Sequence, residues 1–169
     1  MRWGRRTQPV EVPTLLPRER VLAHAVAEDG SVLAGTRDAL HLAPIGGAEP
    51  QRVPWQLVEA ADWDAEASTF RVSEVGEWGA ERPEHAYVLD EARLFLELVR
   101  ERVTASIVLQ RHVAVPGGGM RVIARRAPHG SSEVLWVYEY DAGVDPSDAA
   151  VREAAEAALA QAKDEVGPV

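Results

Sequence analysis

Asp62 and Asp64 bracket Trp63, and in an extended chain the two aspartates point to the same side. Paired carboxylates divide acid and base roles when their surroundings differ. The same arrangement marks a solvated strand end before a turn, and that is the expectation here. His24 and His41 fall on neighbouring predicted strands. Two imidazoles could begin a metal site, but tetrahedral centres take three or four ligands, and neither H-x-H nor H-E-x-x-H spacing accompanies them. Gly117–Gly119 is followed by no Lys-Ser/Thr pair and no helix start, so it reads as a turn and not as a phosphate loop. No serine stands in a G-x-S-x-G elbow. The absence of cysteine excludes thiol nucleophiles, thiolate metal sites and disulfides. The sequence therefore nominates no catalytic residue, metal ligand or cofactor, and a non-enzymatic protein is expected.

The arginines are the remaining chemistry. Arg111, Arg121, Arg125 and Arg126 fall on a predicted strand–turn–strand segment together with His112. Alternation puts Arg121 and Arg125 on one face, where with His112 they would form a cationic stripe. A guanidinium is a planar fork suited to carboxylate or phosphate, so this hairpin face is a candidate docking surface. The competing reading is internal pairing with Glu133, Glu139 or the last helix. Trp78, in the loop 76–84, is a second candidate contact, because an exposed tryptophan can anchor a partner. Trp55, Trp63 and Trp136 are expected in the core or at its rim.

The elements that would position these groups are mostly short strands. Val21–Ala27 and Ser31–Thr36 flank Glu28-Asp29-Gly30, a hairpin signal. Ala39–Pro44 follows, then Gln51–Asp64 as a strand bending near Pro54, Thr69–Val75 and His85–Leu89. Ala92, Phe95, Leu96, Val99 and Val103 repeat at helical spacing, which predicts a helix N-capped by Asp90. Strands are then predicted at Ser106–Val115, Met120–Arg126 and Glu133–Tyr140. A last helix is predicted from Asp145 as N-cap, with Pro146 at its first position, to about Val166 before Gly167-Pro168. Its apolar stripe, Val151, Ala155, Ala158, Leu159, Ala162 and Val166, is mostly small side chains, so it needs a host to be stable.

Three segments follow from this order. Residues 1–17 are a tail, strapped down by Trp3 or by Leu15 and Leu16. Residues 18–105 are a β domain with a capping helix, and residues 106–169 are antiparallel strands plus a helix, packed on the first part. The fold class is α+β.

The net charge is −9 over 169 residues, which opposes general attraction to nucleic acid or anionic lipid. Charge is unevenly spread. Residues 31–99 hold five arginines and thirteen acids, a net of −8, residues 100–129 a net of +5, and residues 130–169 a net of −7. No apolar run approaches the roughly 20 residues of a membrane span, and the start has no apolar segment of signal-peptide length. Together with the missing cysteines, this leads to the expectation of a cytoplasmic protein with no membrane partner.

The strand pair at Gly35–Leu42 (GTRDALHL) and the run Val53–Asp64 (VPWQLVEAADWD), inside an order of about six strands then one amphipathic helix, resemble the pleckstrin-homology-like superfamily, including its bacterial and GRAM-type members. The arginine- and alanine-rich composition matches proteins of high-GC bacterial genomes. The resemblance covers residues 18–105 and implies a partly open antiparallel β-barrel plugged at one end by the helix. The family's full barrel has seven strands where six are countable here. Lipid-binding members place basic residues in the first strand–strand loop, which here is Glu28-Asp29-Gly30, so that activity is not carried over.

Three function classes remain. The first is a protein-binding or scaffold module acting through the hairpin face, or through a sheet edge and Trp78. The second is a small-molecule-binding or enzymatic protein using the barrel mouth. The third is nucleic-acid binding by the basic hairpin, disfavoured because that patch is small and lacks interleaved aromatics. Long β-rich edges also make a homodimer an option.

Overall fold

The computed structural model describes residues 9–76 and 82–168. Ten strands and two α-helices follow in the order β1 (Ala23–Val26), β2 (Val32–Gly35), β3 (Ala39–Ala43), β4 (Gln51–Pro54), β5 (Val58–Asp64), β6 (Thr69–Glu74), β7 (Glu84–Val88), α1 (Arg93–Ser106), β8 (Ile107–Val115), β9 (Gly118–Arg126), β10 (Val134–Tyr140) and α2 (Ala149–Val166). The fold is α+β. Its three sheets are antiparallel, with orders β1-β2-β3-β4, β5-β6-β7 and β10-β9-β8, and none closes into a barrel.

Seven strands precede α1, one more than the sequence suggests. The extra strand comes from Gln51–Asp64. Pro54 ends β4, because proline has no N–H to give a ladder, and a 3-10 turn at Trp55–Leu57 starts β5 in a different sheet. Trp55 sits at that corner with no exposure and donates its indole N–H to the Thr36 carbonyl at 3.0 Å. Across from the corner, an antiparallel bridge Ala27–Leu89 and a bond from Glu28 N–H to the Val88 carbonyl join the first two sheets.

The predicted helix ends are corrected by backbone geometry. Leu89 still bridges to Ala27, and Glu91 turns the chain at φ 48°, so Asp90 cannot cap; Ala92 precedes the first helical residue. Near the C-terminus Asp145 caps a preliminary turn, accepting from the N–H and hydroxyl of Ser147. The N-cap of α2 is Asp148, which accepts from the Ala150 and Val151 amides. The β8–β9 turn is also shorter than predicted. Gly117 takes it with φ 89°, while Gly118 and Gly119 already belong to β9.

Two cores result. The first joins β1–β7 to α1 through Leu33, Leu40, Leu42, Val53, Trp55, Phe70 and Phe95. Gly35 is part of this fit, since a Cβ there would lie 2.6 Å from Leu98 of α1. The second core sits between the β8–β10 sheet and α2, built from Met120, Val122 and three alanines of α2 with half-buried Trp136 and Tyr138 beside them. The N-terminal strap is held differently from expectation. Val12 is buried and Thr14 is hydrogen-bonded to His41, whereas Leu16 is 52% exposed. Trp3 and Trp78 lie outside the described residues.

Candidate functional site

A groove of about 670 Å3 opens between α1 and the β5–β6 pair. Local sequence explains both walls. Asp64 accepts from the amides of Glu66 and Ala67, which tightens the turn that brings Trp63 opposite Phe70. Glu91 redirects the chain so that α1 runs back across these strands. Helical spacing then divides α1: Phe95 and Val99 are buried in the first core, and Leu96 is left half-buried at the opening. Phe70 and Phe95 meet edge to face, with centroids 5.5 Å apart and planes at 79°, and fix the floor.

Ala61, Trp63, Phe70, Ala92, Leu96 and Val99 give the groove an apolar lining, and Asp62, Glu91, Arg93, Glu97 and Arg100 form its rim. Trp63 is 40% exposed. Arg93 faces Glu97 at 3.6 Å one helical turn on, so its charge is balanced locally. Asp90 and Glu91 place negative charge at the positive end of the α1 dipole. The groove has a volume typical of ligand clefts, which run from about 300 to 1,000 Å3.

A second cluster lies under the N-terminal strap. The Glu19 carboxylate accepts from the Thr36 hydroxyl (2.6 Å), the Leu16 amide (3.0 Å) and both Nε and Nη2 of Arg52 (3.2 and 3.1 Å). It also faces His41 Nε2 at 3.3 Å, and the other ring nitrogen of His41 meets the Thr14 hydroxyl at 2.7 Å. Burial works against the Glu19 charge, but these donors, Arg52 foremost, outweigh it and hold the pKa at about 2. Burial pushes the His41 pKa down, so the ring is held neutral. A hydroxyl, an imidazole and a carboxylate in line have the form of a nucleophile, base and orienting acid. Here the carboxylate is occupied by donors from three other residues, Leu16, Thr36 and Arg52, and the arrangement fastens the strap to the sheet. His24 lies two strands from His41 with Ala34 between them. Among the described residues no three His, Cys, Asp or Glu side chains gather as metal ligands.

A third cluster joins the two cores. Arg125 is 1% exposed and donates to the carbonyls of Val58 (2.8 Å) and Glu59 (2.6 Å) and to the Ser106 hydroxyl (3.2 Å). The buried Glu59 carboxylate faces Arg82 at 2.8 Å. Burial raises its pKa, and the nearby Glu139 adds to that against the opposing pull of Arg82.

The cationic stripe is therefore not assembled. Arg121 and Arg125 do share a face of β9, but the start of β5 covers its Arg125 end, and Arg121 pairs with Glu139 across the strand. Arg111 lies on the opposite face, under α2, paired with Gln161 and Glu165. Internal pairing accounts for these three arginines. His112 and Arg126 remain exposed. Of the aspartate pair, Asp64 is the turn cap and Asp62 belongs to the groove rim. The groove was missed because its lining comes from β5, β6 and α1, each of whose apolar residues reads as core. A signal was present in Trp63, an indole between two aspartates. No family model, curated protein or solved structure matches the chain.

Proposed function

We propose that this chain is a non-enzymatic protein-binding module whose groove between α1 and β5 receives a short apolar segment of a partner protein flanked by basic residues. The observation that carries this reading is a preformed apolar cleft with a 40% exposed tryptophan at its mouth. Tryptophan is enriched among the few residues that dominate binding energy. The basic flank follows from charge. All the groove residues but Arg100 belong to the segment of net −8, and on the rim Asp62, Glu91 and Glu97 outnumber Arg93 and Arg100 by one charge.

A pleckstrin-homology-like reading of residues 18–105 is supported by seven strands in sheets of four and three followed directly by the helix. The Ala27–Leu89 bridge brings the first and last of those strands together at one corner. The β1–β2 turn carries Glu28 and Asp29, which argues for a protein ligand over an anionic lipid. Among the described residues no helix is long and apolar enough to cross a membrane. A small apolar molecule is the second reading, favoured by the groove's volume alone. Nucleic acid is disfavoured, because Arg111, Arg121 and Arg125 are already engaged.

The test is selection of random displayed peptides on the full chain, followed by affinity measurement on Trp63→Ala. Selected sequences should combine apolar and basic residues and lose at least tenfold in affinity on the variant, a cost of about 1.4 kcal/mol or more. Acidic or polar sequences, or unchanged affinity for Trp63→Ala, would refute the proposal. Failure to select any peptide, with saturable binding of 1-anilinonaphthalene-8-sulfonate that Trp63→Ala abolishes, would favour the small-molecule reading.

A further inference from the structure

An edge strand offers a row of free backbone donors and acceptors to any other strand, and folded proteins guard such edges with short length, charge, proline or bulges. Most edges of this chain carry such a guard. β1 and β4 have four residues each, and β4 ends in Pro54. β5 has a bulge and two aspartates, and β7 has Glu84 and His85. β8 has a bulge near its start and Gln110, Arg111 and His112 at its centre.

β10 carries none of them. Its seven residues, VLWVYEY, include one charge, and that residue, Glu139, is neutralised by Arg121 of its own sheet. Beyond β10 no backbone partner exists among the described residues. Its face is also incompletely covered. α2 lies over β8 and β9, so Trp136, Tyr138 and Tyr140 stay half-buried beside the helix. The two tyrosine rings lie 6.3 Å apart, tilted by 45°.

We propose that a second copy of this chain adds to β10 in antiparallel fashion about a twofold axis at Val137, giving one six-stranded sheet with a helix on either side of an aromatic strip. A copy of the chain is the fitting occupant because this register is self-complementary. Val134 lies opposite Tyr140 and Trp136 opposite Tyr138, so aromatic rings meet across the axis on the partly covered face beside α2. Glu139 lies opposite Leu135, and no like charges meet within the strand. Arg126 is exposed and registers with Val134. It stands two strand spacings, about 10 Å, from the second copy's Tyr140 on the same face, within reach of a cation–π contact. Arg126, which has no ion-pair partner among the described residues, thus acquires a role.

Sedimentation velocity of the full chain over a wide concentration range tests this, together with hydrogen exchange at low and high concentration. The mass should rise from 18.4 kDa to twice that value, and outward amides of β10 should gain protection in step with it. Trp136→Lys, with folding verified by circular dichroism, should remain a monomer at every concentration. A native chain that stays monomeric throughout overturns the proposal. So does a dimer whose β10 amides exchange as in the monomer, or one that Trp136→Lys leaves intact.

Discussion

The two cores of this chain solve the same problem with different materials. The first buries Trp55, Phe70, Phe95 and a set of leucines at 2% exposure or less, sealed on several sides by strands and α1. The second packs three alanines of α2 on Met120 and Val122 and leaves its tryptophan and tyrosines half-exposed. A large side chain closed in on all sides contributes several kcal/mol, whereas an alanine contributes little beyond letting a helix approach closely. The first core can hold its own shape. The second is completed from outside, by Arg125 reaching the β5 backbone and, in the association proposed above, by another copy.

Substitutions should expose that asymmetry. Trp55→Ala removes a fully buried ring and strands the Thr36 carbonyl, and a loss of about 3–5 kcal/mol is expected by chemical denaturation. Arg125→Ala should cost about 3 kcal/mol, because two buried carbonyls and a serine hydroxyl lose their donor. Its signature is the more informative one: the single unfolding transition should split, with the β8–β10 amides exchanging first. If both variants unfold in one transition with equal loss, the asymmetry is wrong. Ala158→Gly, on the buried face of α2, should cost only about 1 kcal/mol and, combined with Arg125→Ala, act on the earlier, β8–β10 transition alone.

Acid should also separate the regions. Glu19 titrates near 2 in the folded chain against 4.5 unfolded, so its stabilisation is present above about 4.5 and lost as pH falls from there toward 2. His41, with a depressed folded pKa, contributes in the same sense: its share is complete above the unfolded value of 6.5 and lost below it. Glu59 runs the other way, since its raised folded pKa gives stabilisation that is present below 4.5 and lost as pH rises through the folded value. Thermal melts from pH 7 to 3 should therefore show the strap released by acid while the junction holds. Glu19→Gln should flatten the acid slope of the first core.

Legibility in the sequence followed locality. The period-2 alternation of Thr69–Val75 and the 3.6-residue stripe of α1 are properties of a few consecutive residues, and both were readable. So was the tendency of the hairpin arginines to find the protein's own acids, realised at Glu139 and Glu165. Three features depended on neighbours distant in the chain. Arg125 reads like Arg121 until β5 closes over it. Asp90 reads as a cap until Leu89 is claimed by Ala27. Glu19, in an unremarkable Arg-Glu-Arg, becomes the best-satisfied carboxylate described only because Thr36, His41 and Arg52 converge on it.

The passage from α1 into β8 has no intervening residue: Ser106 ends the helix and Ile107 begins the strand. A residue added there would turn the helix end by about 100° or, taken up in the strand, move every side chain of β8 to the opposite face. Leu109 and Val113 would then face outward and His112 would lie beneath α2. The chain can tolerate variation in its surface turns, but at this seam its length is as much a part of the specification as its chemistry.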